Sequence, residues 1–166
     1  TERGSLPGFI VRPVDHSNML RGLRETGPVA LVPLAWIFAT VAHLGLLEPR
    51  TVLIAHLVMA SLLAAFAVLS WSDMIGHPVL RAWLTVVVVG LVVTLAGTYA
   101  LATDGDPRLL SGTVFGWMVV PSAALVYTGR VLPADEWPLA YTAGGVLSAA
   151  GAVAFLAGTL TGVDLV

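Results

Sequence analysis

The chain has 166 residues, of which 57% are hydrophobic and 11% charged, with a formal net charge of −2. Soluble domains carry about 25% charged residues, so this surface is built for lipid rather than water, and the negative balance without a basic run excludes a nucleic-acid partner. The absence of cysteine excludes disulfides, thiolate metal sites and thiol redox chemistry, and the absence of lysine excludes a retinal Schiff base.

Residues 1–25 read as a polar N-terminal extension, with four arginines, two prolines and only a brief apolar patch, Phe9-Ile10-Val11. No apolar core of signal-peptide length is followed by a cleavage site there, so the segment is not expected to be a signal peptide. Five stretches free of Asp, Glu and Arg follow, at about 26–47, 51–72, 82–103, 109–129 and 137–163. A hydrocarbon core about 30 Å thick needs roughly 20 apolar residues in a helix, and each stretch is long enough. The expected fold is therefore an all-α integral membrane protein, an up-down bundle of five transmembrane helices in a domain spanning 26–166.

The connectors agree with this division. Each contains proline (Pro49, Pro78, Pro107, then Pro133 and Pro138), which is expected to end the preceding helix, and each carries charge. The first is only Glu48-Pro49-Arg50, so the first two spans are expected to form an antiparallel hairpin. Arg3, Arg12, Arg21, Arg24, Arg81 and Arg130 fall on one side of the membrane and Arg50 and Arg108 on the other. That bias places the N-terminus in the cytoplasm and the C-terminus outside. The expected location is the plasma membrane of a prokaryote. Arginine-only usage with abundant Ala, Val and Gly suits a high-GC genome, and acidic connectors such as Asp104-Gly105-Asp106 suit a halophile.

Packing expectations follow from small residues. On the third span, Gly90, Thr94, Gly97 and Thr98 share a side that should face protein, and Val86, Val89, Leu91, Val92 and Val93 should face lipid. On the fifth span, Gly144, Ser148 and Ala152 fall four apart, as do Gly145 and Ala149, and Gly158 and Gly162 form Gly-x-x-x-Gly. Such spacing lets backbones approach closely. It serves either packing within the bundle, the favoured expectation, or a seam to a homo-oligomer or larger membrane complex. Pro33 and Pro121 are expected to kink their helices where neighbours re-satisfy freed carbonyls. Trp71, Trp83, Trp137, Tyr99 and Tyr141 lie near span ends, where aromatic belts form. Trp36 and Trp117 lie deeper and, with Thr40, are candidates to line a ligand pocket.

Two ionisable side chains fall within spans, His43 and His56. Groups at such depth are functional candidates by default. His43 is four residues before the end of the first span and His56 five after the start of the second. Both imidazoles therefore sit about 6–8 Å below the same face. Level histidines on neighbouring helices suit the two axial positions of a b-type haem, and a two-histidine metal site would lack further protein ligands. The competing expectation is that each histidine hydrogen-bonds a neighbour. Asp73, His77 and Arg81 cluster at the end of the second span and read as solvated connector residues, with Arg81 able to pair with Asp73.

Absences narrow the function further. No carboxylate lies in mid-membrane, which argues against an ion-coupled carrier. No span is rich in arginine, and no phosphate loop, H-E-x-x-H or Gly-x-Ser-x-Gly motif occurs. No catalytic residue is assigned. The leading expectation is a non-enzymatic membrane protein, either an accessory subunit or a binder of a small lipophilic molecule. A b-type haem redox protein using His43 and His56 is the alternative, and a small oligomeric transporter or channel a third.

Overall fold

The computed structural model describes residues 33–42, 44–103 and 106–162. The chain divides into two compact units, Thr1–Leu47 and Glu48–Val166. In the first, helix α1 runs over Pro33–Ala42. It closes with the Leu46 amide donating to the Val41 carbonyl and the Gly45 amide to the Ala42 carbonyl. Gly45 is left-handed at φ 68°, so this is a Schellman turn, in which glycine meets the conformational demand without a Cβ penalty. Of the expected first span 26–47, the flanking residues 26–32 and His43 lie outside the described residues, as does the extension 1–25.

The second unit contains four long helices: α2 (Pro49–Ile75), α3 (Pro78–Ala102), α4 (Pro107–Val131) and α5 (Pro138–Thr161). A 3-10 turn at Ala134–Glu136 precedes α5. All four helices are long and apolar enough to cross a membrane. At 1.5 Å per residue, the 27 residues of α2 extend about 40 Å, longer than the hydrocarbon core.

Helices α2 and α4 and the start of α3 overrun the expected spans, because charge marks the edge of the apolar stretch rather than the helix end, whereas α5 stays within its expected 137–163. Arg50, Asp73, Arg81, Arg108 and Arg130 all lie inside helices. Such residues end the lipid-buried stretch while the backbone ladder continues into the headgroup layer. The prolines also act differently from expectation. Pro49, Pro78, Pro107 and Pro138 each occupy the first turn of the helix that follows. Their missing N–H is one that a helix start leaves unpaired anyway, and their fixed φ is already helical. Each of these four prolines thus starts a helix, whereas Pro133 follows the end of α4. Asp106 reinforces the start of α4 by accepting from the Arg108 amide at 2.8 Å. Trp137, just before Pro138, takes a left-handed φ of 58°, a conformation costing an L-residue roughly 1–2 kcal/mol.

The main packings are serial: α2 on α3, α3 on α4 and α4 on α5. The contacts below pair early residues of each helix with late residues of the next, so neighbours are antiparallel. Because α3 is packed on both sides, it buries more than the one polar face expected. Gly90, Thr94 and Gly97 are buried as anticipated, but so are Leu84 and Val86. Val93 seats against Gly116 of α4, while Val89 and Val92 remain exposed. Val86 and Val93 therefore depart from the lipid-facing role expected of them.

Two tryptophan–threonine hydrogen bonds clamp α3 to α4 reciprocally. Trp83 Nε1 on α3 donates to Thr128 Oγ1 on α4 at 3.2 Å. Trp117 Nε1 on α4 donates to Thr94 Oγ1 on α3 at 3.1 Å. The spacing from tryptophan to threonine is eleven residues in both helices, 83 to 94 and 117 to 128. A buried indole N–H needs such a partner where no water is present. Trp83 therefore acts in the helix seam as well as near a span end.

The α4–α5 contact is the tightest. A Cβ on Gly129 would meet the Thr142 side chain and the Pro138 carbonyl, and one on Gly145 would lie 2.8 Å from the Ser122 carbonyl. Ser148 Oγ of α5 donates to the Met118 carbonyl of α4 at 3.1 Å, and Ser122 Oγ donates to the Val119 carbonyl at 2.7 Å. Both acceptor carbonyls lie in the turn before Pro121, the proline inside α4, next to the Trp117 carbonyl that loses its i+4 donor to the proline ring. On α5, Gly145, Ala152 and Gly158 are buried, so that part of the small-residue pattern is used within the chain. A Cβ on Gly144 would meet nothing, and Gly162 is instead the left-handed cap that ends α5.

Candidate functional site

Two places in the second unit are candidates for a site. The first surrounds His56. Its Nδ1 lies 2.9 Å from the Val52 carbonyl, one turn back on α2. A carbonyl only accepts, so Nδ1 is the donor in this contact. The half-buried ring packs against α3 where Gly97 leaves room. A Cβ at Gly97 would sit 3.3 Å from His56 Cδ2 and 2.9 Å from Thr113 Cγ2 of α4. His56, Gly97 and Thr113 thus converge from three helices. The Thr113 hydroxyl is engaged with the Leu109 carbonyl at 3.0 Å.

Further along α3, the Trp117 ring lies over Gly90, where a Cβ would come within 2.7 Å of the indole. Trp117 therefore fills the α3–α4 seam, with its N–H held by Thr94. Trp36 and Thr40, its expected partners in a pocket, belong to the first unit, where the Thr40 hydroxyl donates to the Trp36 carbonyl at 2.9 Å. His43, the expected partner of His56, lies outside the described residues. No group of three His, Asp or Glu side chains able to hold a metal ion occurs among the described residues.

The second place is an open groove of about 190 Å³ between α2 and α3, near their connecting turn. It is lined by Trp71 and Ile75 from the last turns of α2 and by Arg81, Leu84, Thr85 and Val88 from the start of α3. Among the described residues, Arg81 is its only charged lining residue. The Thr85 hydroxyl donates to the Arg81 carbonyl at 2.9 Å, which leaves its oxygen to the groove as an acceptor only. The groove is an amphipathic slot that combines one cation with largely apolar walls.

Trp71 and Arg81 were singled out in the sequence for an aromatic belt and a carboxylate pair. The groove itself was missed. Its signal was two stripes, Trp71 and Ile75 at i, i+4 and Arg81, Leu84, Thr85 and Val88 at i, i+3, i+4, i+7. These stripes meet only because the Gly76-His77 turn folds α3 back along α2.

The helices, their apolar surfaces and this slot define the class: an all-helical, multi-pass membrane protein with lipid-facing helices. No family model, curated protein or solved structure matches the chain.

Proposed function

We propose that the chain is a non-enzymatic protein of a prokaryotic cell membrane that binds a small lipophilic molecule in the α2–α3 groove. The observation that carries this reading is the groove's make-up, one arginine among largely apolar lining residues. Binding sites for small molecules are mostly apolar, with few polar groups to fix orientation. An amphiphile dissolved in the bilayer enters such a slot without crossing water. A fatty acid carrying a diazirine on its tail tests the proposal. On illumination it should label residues within 71–88 preferentially, and an excess of unmodified fatty acid should suppress that labelling. Even labelling of all exposed helix faces would reject it.

In this reading the chain crosses the membrane five times, with its N-terminus in the cytoplasm. Support for the direction comes from Arg3, Arg12, Arg21 and Arg24, since the four arginines at the ends of α2–α5 divide two and two. A C-terminal alkaline phosphatase fusion should be active and a fluorescent-protein fusion dark. The opposite pattern overturns the topology.

A second reading is b-type haem ligation through His56, whose Nδ1 is occupied by the Val52 carbonyl. A histidine that donates Nδ1–H to a backbone carbonyl presents Nε2 in the orientation that iron ligands use. Protein expressed with ample haem should then show a Soret band that is lost in both His43→Ala and His56→Ala. Colourless protein rejects this reading.

A further inference from the structure

We propose that the groove holds an anionic phospholipid, with its phosphate on the Arg81 guanidinium and an acyl chain along Leu84 and Val88. The inference rests on the amphiphile reading above and names the chemistry of the head. Arg81 is the fourth residue of α3, so it stands at the edge of the apolar span. Val88 is seven residues further on, which places it about 10 Å deeper. The slot therefore passes from cation to hydrocarbon over the same distance as a lipid passes from phosphate to upper acyl chain. An arginine offers planar, paired donors to phosphate oxygens and stays charged next to hydrocarbon. Trp71, half exposed at 51%, lies at the headgroup level, where indoles are favoured.

Free phosphate satisfies only the arginine and leaves Ile75, Leu84 and Val88 unfilled. A zwitterionic lipid brings a second cation beside Arg81. An anionic lipid complements both ends of the slot. Arg81 also lies on the side that the arginine bias assigns to the cytoplasm, where anionic lipids attract basic residues.

The full chain, reconstituted in vesicles of equal phosphatidylglycerol and phosphatidylcholine, is extracted in mild detergent and its retained lipid read by native mass spectrometry. Phosphatidylglycerol should be retained over phosphatidylcholine by about fivefold. Arg81→Gln should abolish that preference, Arg81→Lys should keep most of it, and Arg108→Gln at the opposite end should leave it unchanged. Equal retention of the two lipids by the wild type would overturn the headgroup assignment, as would equal loss in Arg81→Gln and Arg108→Gln. Release of the lipid by excess inorganic phosphate would also overturn it, marking a simple anion site. In each of these cases fatty-acid labelling of residues 71–88 would still stand. Loss of that labelling too would remove the amphiphile reading itself.

Discussion

Gly129→Ala should lower the stability of the detergent-solubilised protein by about 3 kcal/mol, toward the upper end of what overpacking costs. The added Cβ would stand 2.6 Å from the Pro138 carbonyl oxygen and 2.8 Å from the Thr142 amide nitrogen. Both are backbone atoms of α5, so no side-chain rotation relieves the clash and the helices must separate. Separation loosens the rest of the seam, including the close approach at Gly145 and the Ser148 bond to the Met118 carbonyl. Gly144→Ala and Gly112→Ala are the controls, because a Cβ at either meets nothing within 4 Å. Thermal unfolding in one detergent should show a large drop for Gly129→Ala and little change for the other two. A similar response in all three would mean that α4 and α5 do not approach as described.

Trp117→Ala should destabilise by about 3 kcal/mol, the lower end for removing a large aromatic from a core, because the ring is only half-buried. Truncation opens the space over Gly90 and removes the donor to Thr94. Thr94→Val separates these contributions. It keeps the Trp117 ring over Gly90 and removes the acceptor of its N–H, so its cost should be near 0.6 kcal/mol, the average for interhelical hydrogen bonds within membranes. Thr94 is not orphaned by Trp117→Ala, since its hydroxyl still donates to the Gly90 carbonyl at 2.8 Å. Equal losses in Thr94→Val and Trp117→Ala would assign the stabilisation to the hydrogen bond and contradict the packing account.

The four long helices were legible because charge is absent from each over about 20 residues and returns in every connector. Their ends were not, because Arg50, Asp73, Arg81, Arg108 and Arg130 leave the hydrocarbon before the helix stops. Proline gave the right positions with the wrong polarity. Its clash with a preceding turn and its fitness for a first turn act at the same place in a short connector, and only coordinates show which helix it belongs to. The buried Gly90, Thr94 and Gly97 face of α3 was legible from four-residue spacing. The burial of Val86 was not, since one helix's periodicity does not reveal that neighbours cover two of its sides. His56 was found from depth alone, whereas its contact with Gly97 and Thr113 depends on the register between three helices. The groove depends on a turn that lays two unremarkable stripes side by side.

Occupancy of the groove is the central claim, and filling it is the most direct measurement. Val88→Trp places a large ring in the inner part of the slot, away from Arg81. Photolabelling of this variant by the diazirine fatty acid should fall to the level of the other exposed helix faces, with an unchanged thermal midpoint showing that the fold persists. Labelling of residues 71–88 at the wild-type level in a stably folded Val88→Trp protein would contradict the account.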